Sequence, residues 1–194
     1  NAVEEMARAL PNLETLDVTG TAVGDDGVCA VASACTQLSK FAAARCRVTD
    51  DAAMMLCVRR GERLRSLLLA ACTHVTDGTL SALGGFCPGL RELQIAGCPC
   101  VSDHGLRQVA SGCAAMETIG VDTCSGITDE AVLALAQGCP QLCSFTANGC
   151  SGLGDEGLIA LATGCPNLSR LDVRGCAQVT DAGLDAARKR LGPG

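Results

Sequence analysis

Residues 87–112 read CPGLRELQIAGCPCVSDHGLRQVASG, and the chain repeats that stretch. The next three blocks are CAAMETIGVDTCSGITDEAVLALAQG at 113–138, CPQLCSFTANGCSGLGDEGLIALATG at 139–164 and CPNLSRLDVRGCAQVTDAGLDAARKR at 165–190. Working outward in both directions, the leading apolar anchors fall at Leu13, Leu38, Leu64, Leu90, Met116, Leu142 and Leu168, one step of 25 followed by five of 26. A fixed period of this length belongs to a stacked-repeat architecture, in which no single unit can bury its own apolar surface.

Within one block the pattern first alternates and then turns helical. Leu90, Leu93 and Ile95 alternate with polar or small residues, as in a short strand with one buried face. An aspartate recurs at Asp25, Asp50, Asp77, Asp103, Asp129, Asp155 and Asp181, usually after Thr or Ser. A hydroxyl or carboxylate there can accept the free N–H groups of a helix start, and negative charge suits that end of the helix dipole. Apolar residues follow at helical spacing, for example Leu106 and Val109–Ala110. Gly112, Gly138 and Gly164 close the helical stretch, where a left-handed cap is expected. The expected fold is therefore α/β. Seven parallel strands, near 13–18, 38–43, 64–69, 90–95, 116–121, 142–147 and 168–173, are each followed by a helix starting near its aspartate. Helices are wider than strands, so the stack must curve, with the sheet on the concave side and the helices on the convex side.

The block resembles the cysteine-containing subfamily of leucine-rich repeats, with the pattern C-P-x-L-x-x-L-x-L-x-x-C-x-x-I-T-D-x-x-L-x-x-L-A. Cys87–Pro88, Cys139–Pro140 and Cys165–Pro166 carry its opening pair, and Ile127-Thr128-Asp129 its middle signature. The resemblance covers essentially the whole chain and implies a leucine-rich repeat solenoid. It also implies a protein-interaction role: substrate recognition in an F-box-type cullin ubiquitin ligase or, alternatively, a scaffold in a large assembly such as a ciliary one. No stretch here looks like an F-box.

The repeats are expected to form one domain over 1–194. Residues 1–9 read as the helix of a truncated preceding repeat, because Val3, Met6 and Ala7 stand where its stripe would be. Seven repeats then run from 10 to 191, and the whole reads as a fragment of a longer chain. Three blocks are irregular: the first and second are each one residue short, at Thr21 to Val23 and Cys46 to Val48 against Cys72 to Val75, and the second regains it at Arg59-Arg60-Gly61. The last carries Asp185, Arg188, Lys189 and Arg190 on its helix, as suits the end of a stack, before Leu191-Gly192-Pro193-Gly194 breaks it.

Other function classes find little in the residues. Of 15 cysteines, eleven occupy two repeated places, the post-strand one (Cys46 to Cys176) and the repeat start (Cys35 to Cys165). Equivalent cysteines on successive rungs point in parallel about 4.8 Å apart, loose for a disulfide. Reduced, buried thiols are expected, and with them a reducing compartment, cytoplasm or nucleus. Zinc would want repeated short cysteine pairs or paired histidines; the chain offers Cys98-Pro99-Cys100 and isolated His74 and His104. The stretch Gly152-Leu153-Gly154-Asp155-Glu156-Gly157 mimics a dinucleotide loop, yet the repeat accounts for each glycine. No residue set departs from the repeat as a nucleophile with its base would, so no enzyme and no cofactor are expected. A net charge of −6 disfavours nucleic acid, and no apolar run reaches a membrane span.

The expected partner is another protein on the concave face, where side chains vary from repeat to repeat. Three outward columns run Thr15 to Arg170, Asp17 to Asp172 and Thr19 to Arg174. Their candidate contact residues, with neighbouring Arg65, are Lys40, Arg65, Leu68, Glu92, Gln94, Asp122, Asn148, Arg170, Asp172 and Arg174. Leu68 protrudes among Ala42, Ala44, Ala70 and Ala96, and the ends of the columns are charged, giving an apolar centre with a polar rim.

Overall fold

The alternating leucines and the helical stripes resolve into eight helices and seven strands among the described residues, 2–191 of the computed structural model. Helix α1 (Ala2–Ala9) leads. Then follow β1 (Thr15–Asp17), α2 (Asp25–Ala34), β2 (Lys40–Ala42), α3 (Asp50–Arg60), β3 (Ser66–Leu68), α4 (Asp77–Phe86), β4 (Glu92–Gln94) and α5 (Asp103–Gly112). The chain continues with β5 (Thr118–Gly120), α6 (Asp129–Gly138), β6 (Ser144–Thr146), α7 (Asp155–Gly164), β7 (Arg170–Asp172) and α8 (Asp181–Leu191). The expected break at 192–194 lies outside the described residues.

The strands form one parallel sheet in the order β1 to β7, and equivalent residues pair: Leu16 with Phe41, Leu67 with Leu93, Phe145 with Leu171. Consecutive helices pack side by side. Helix axes need about 8–10 Å each and strands about 4.8 Å, so the sheet takes the inner, concave radius. This is a leucine-rich repeat solenoid. The apolar anchors form one continuous core, with Leu38, Leu64, Leu90, Met116 and Leu142 fully buried. Helix α1 sets Val3, Met6 and Ala7 against that core.

Each regular strand spans three residues, fewer than the six expected. Inter-rung bonding nevertheless continues past it, through Val121 N–H to Thr146 O (2.8 Å) and Thr123 N–H to Asn148 O (2.7 Å). The strand ends because the third residue after it turns left-handed on every rung: Gly20, Arg45, Ala71, Gly97, Thr123, Gly149 and Gly175 have φ between 58 and 73°. Glycine adopts this freely; arginine, alanine and above all β-branched threonine do so at a cost.

The two recurrent polar residues divide their work. The hydroxyl before the aspartate caps its own helix: Thr76, Ser102 and Thr128 accept from Gly78, His104 and Glu130 N–H. The aspartate is the first helical residue and reaches to the next repeat. Asp103 accepts from Thr128 N–H (2.8 Å) and Oγ1 (2.7 Å), and Asp77 from Ser102 in the same way. Asp50 accepts four bonds, from N–H and Oγ1 of both Thr76 and Thr79. Burial pushes its carboxyl up, but those four bonds together outweigh it and hold it below the ordinary carboxylate value. Gly154 supplies only its N–H to Asp129.

The helix-ending glycines do not form left-handed caps. The capping residue is the following cysteine, at negative φ, and the glycines serve close approach instead. A Cβ on Gly112, Gly138 or Gly164 would lie 1.8, 2.1 or 2.2 Å from a carbonyl oxygen of the preceding helix.

The post-strand cysteines are small buried donors. Cys72, Cys98, Cys124, Cys150 and Cys176 each point Sγ at a backbone carbonyl of the preceding rung, 3.0–3.3 Å away. All fifteen cysteines are unpaired. Burial pushes the thiols of Cys98, Cys113 and Cys139 up to about 12, and those of Cys150 and Cys165 to about 11.

Candidate functional site: the concave sheet face

The alternation that buries Leu67 and Leu69 leaves Ser66 and Leu68 on the opposite face of β3. Leu68 is half-buried there, between Ala42 and Gln94 in the sheet register. It is not among the partly buried apolar side chains that pack on the core, and neither are Ala42, Ala44, Ala70 and Ala96. The centre of the face is therefore an apolar floor whose backbone carries the sheet while its side chains stay out of the core.

Toward the C-terminal end the candidates are already engaged with one another. Asp122 accepts from Thr146 Oγ1 (2.8 Å) and from the N–H and Nδ2 of Asn148 (2.7 and 2.5 Å). Asn148 Oδ1 in turn accepts Arg174 N–H at 2.8 Å. Arg174 Nε and an η-nitrogen clamp both oxygens of Asp172, each at 2.8 Å, and the guanidinium holds that carboxyl below its usual value. The structure thus joins Asp122, Asn148, Asp172 and Arg174 into one network spanning three rungs. Nearer the centre, Ser66 Oγ donates to Glu92 (2.7 Å), and the Gln94 carboxamide lies over Gly120, where a Cβ would meet it at 1.9 Å. Lys40 and Arg170 are exposed at the edge of the face.

Arg65 stands apart from the group. One η-nitrogen donates to Glu62 O (3.0 Å) and Leu64 O (3.1 Å), folding the side chain over the turn at Gly89. It braces the entry to β3. Its position one residue before the outward column sets it at the sheet margin, which spacing alone did not separate from the face.

Sequence reasoning passed over four exposed large apolar side chains. Met54, Met55 and Val58 on α3 and Phe86 at the end of α4 are 41, 37, 53 and 44% exposed. A signal was present: Ala52 to Val58 is a run of seven apolar residues, which leaves α3 no polar outer face. Among the described residues no group of three His, Cys, Asp or Glu side chains is placed to hold a metal ion. No helix there is long and apolar enough to cross a membrane.

Comparison with known proteins agrees with this architecture. A family model described as "Leucine Rich repeat" matches residues 9–32 and 164–186. An internalin from Listeria monocytogenes superposes with a TM-score of 0.66 at 24% identity, over 92% of this chain and 53% of its own, so the chain spans about half of that relative's length. Internalin C2 from the same organism gives 0.63 at 14% identity, over 96% of this chain and 89% of its own. At these identities the likeness is one of fold.

Proposed function

We propose that the chain is a non-catalytic protein-recognition domain that binds another protein on its concave face, with Leu68 as the central anchor. The observation that carries this reading is the set of apolar side chains on the middle rungs, Leu68 among four alanines, that the core does not use. Interface energy concentrates where a protruding side chain can be fully desolvated, and the locked polar network at the C-terminal end offers a rim that needs no reordering on binding. Lys40, Glu92, Gln94 and Arg170 complete the contact set.

The cysteine-bearing repeat pattern supports a finer reading, substrate recognition for an F-box-type ubiquitin ligase in the cytoplasm or nucleus, where the fifteen thiols stay reduced. The second reading, a scaffold subunit of a large assembly, draws support from the exposed apolar side chains of α3 and α4, which lie outside the concave face.

Affinity capture followed by mass spectrometry tests the site. Leu68→Asp is expected to weaken capture of the bound protein at least tenfold, equivalent to about 1.4 kcal/mol, with unfolding nearly unchanged. Gln108→Ala, on the helical side, is expected to leave capture intact. The reverse pattern refutes concave binding. A captured protein that accumulates when the gene is deleted marks a ligase substrate, and an assembly that dissociates marks the scaffold role.

A further inference from the structure

The irregularity of the second repeat opens a cleft. Where the later helices end in Gly112, Gly138 and Gly164, α4 ends in Phe86. The residue that the second repeat regains at its helix end, Gly61, sits beneath that phenylalanine's backbone: a Cβ on Gly61 would lie 2.1 Å from Phe86 O. The Phe86 ring stands exposed at the mouth of a cleft of about 330 Å³, lined also by Val58, Arg59, Arg63, Gly85 and Pro88. Val58 shares its helix face with Met54, one turn earlier, so the apolar surface continues from the cleft onto α3.

Among the described residues, the charges around the cleft form no ion pair. The Arg59 side chain is exposed and makes no hydrogen bond or ion pair among the described residues. Arg63, also exposed, holds only the side-chain oxygen of Gln37. Arg60 is committed elsewhere, donating to Ala32, Ser33 and Thr36 carbonyls and so closing the end of α2. Glu62 is the one carboxylate among the lining residues and forms no ion pair among the described residues. Four arginines between 59 and 65 against one glutamate make this a cationic spot in a chain of net charge −6.

We propose that this cleft between the ends of α3 and α4 docks an acidic peptide segment that inserts one large apolar side chain between Val58 and Phe86 while its carboxylates meet Arg59 and Arg63. The volume suits one anchoring side chain, and guanidinium groups pair with carboxylates in two-point fashion. The site lies off the sheet face and does not depend on the concave-face reading.

The test pans a phage-displayed library of random dodecapeptides on the chain and measures synthetic versions of the selected peptides by fluorescence polarisation. Selected peptides are expected to place Asp or Glu around a single large apolar residue. Their affinity should fall at least about tenfold with Phe86→Ser and with Arg59→Glu. It should also weaken as NaCl rises from about 50 to about 300 mM, and be indifferent to Leu68→Asp. Phe86 and Arg59 are exposed, so both variants should keep the far-ultraviolet circular dichroism of the parent; Val58→Lys is a third variant on the other wall. Failure to enrich any peptide, enrichment without acidic residues, binding that survives both cleft variants, or loss on Leu68→Asp each overturns the proposal.

Discussion

Replacing Asp50 by alanine removes the acceptor of four hydrogen bonds between the second and third repeats, with donor–acceptor distances of 2.9, 2.5, 3.1 and 2.6 Å. The losses are unequal. Thr79 N–H retains a second acceptor in Thr76 O at 3.2 Å, whereas Thr76 N–H has no other among the described residues. The Thr79 hydroxyl is completely buried and cannot turn to water. Allowing roughly 2 kcal/mol for the orphaned Thr76 N–H and roughly 1 for each hydroxyl, Asp50→Ala should cost about 4 kcal/mol. Asp181→Ala provides the control: this aspartate also begins a helix, yet accepts no bond from another repeat among the described residues. Its loss should cost about 0.5 kcal/mol, the helix-dipole contribution. Urea unfolding followed by circular dichroism at pH 7 gives both values. The Asp50 carboxyl is held below its ordinary value, so its contribution is present above the unfolded-state pKa of about 4 and is lost as pH falls through the lower folded-state value. The gap between parent and Asp50→Ala should therefore close on strong acidification. If Asp50→Ala falls within about 1 kcal/mol of Asp181→Ala, or the gap widens in acid, the inter-repeat clasp is not what holds these units together.

Gly154→Thr should restore both a helix cap and a hydroxyl bond to Asp129, raising stability by about 1 kcal/mol; Gly24→Thr restores a cap alone and should gain a few tenths. Equal gains at the two sites in parallel thermal melts would remove the hydroxyl–carboxylate bond from the account. Thr123 holds φ at 58°, so Thr123→Gly should stabilise by about 0.5 kcal/mol, and Gly149→Ala, at the same place two blocks further toward the stack end than Gly97, should cost about 1 kcal/mol. Opposite signs in urea midpoints would show that the left-handed turn is not strained. Thiol titration with an aromatic disulfide reagent should modify exposed Cys100 first and half-buried Cys29 and Cys143 later, while thiols raised to about 11–12 by burial, such as Cys98 and Cys165, react only on unfolding. A total in denaturant, without reductant, far below 15 would mean disulfides or bound metal.

By itself the sequence determined the period, the alternation of strand and helix, the parallel order of the rungs and which face of each strand is buried, because those follow from apolar spacing that every block repeats. It also placed Leu68 outside the core, since an outward strand position can be counted from its neighbours. Tertiary structure decided whatever depends on a neighbouring block roughly 26 residues away. Only there does the aspartate prove to be a clasp on the next repeat and not a cap for its own helix. Only there do the helix-ending glycines prove to make room for a carbonyl of the preceding helix. The same holds for Asp122, Asn148 and Arg174, whose side chains look free in one dimension and are bonded across rungs in three. A period tells which residues are equivalent, but the distance between equivalent residues is set by how closely helices and strands stack, and that spacing decides which polar groups meet and where a cleft such as the one at Phe86 opens.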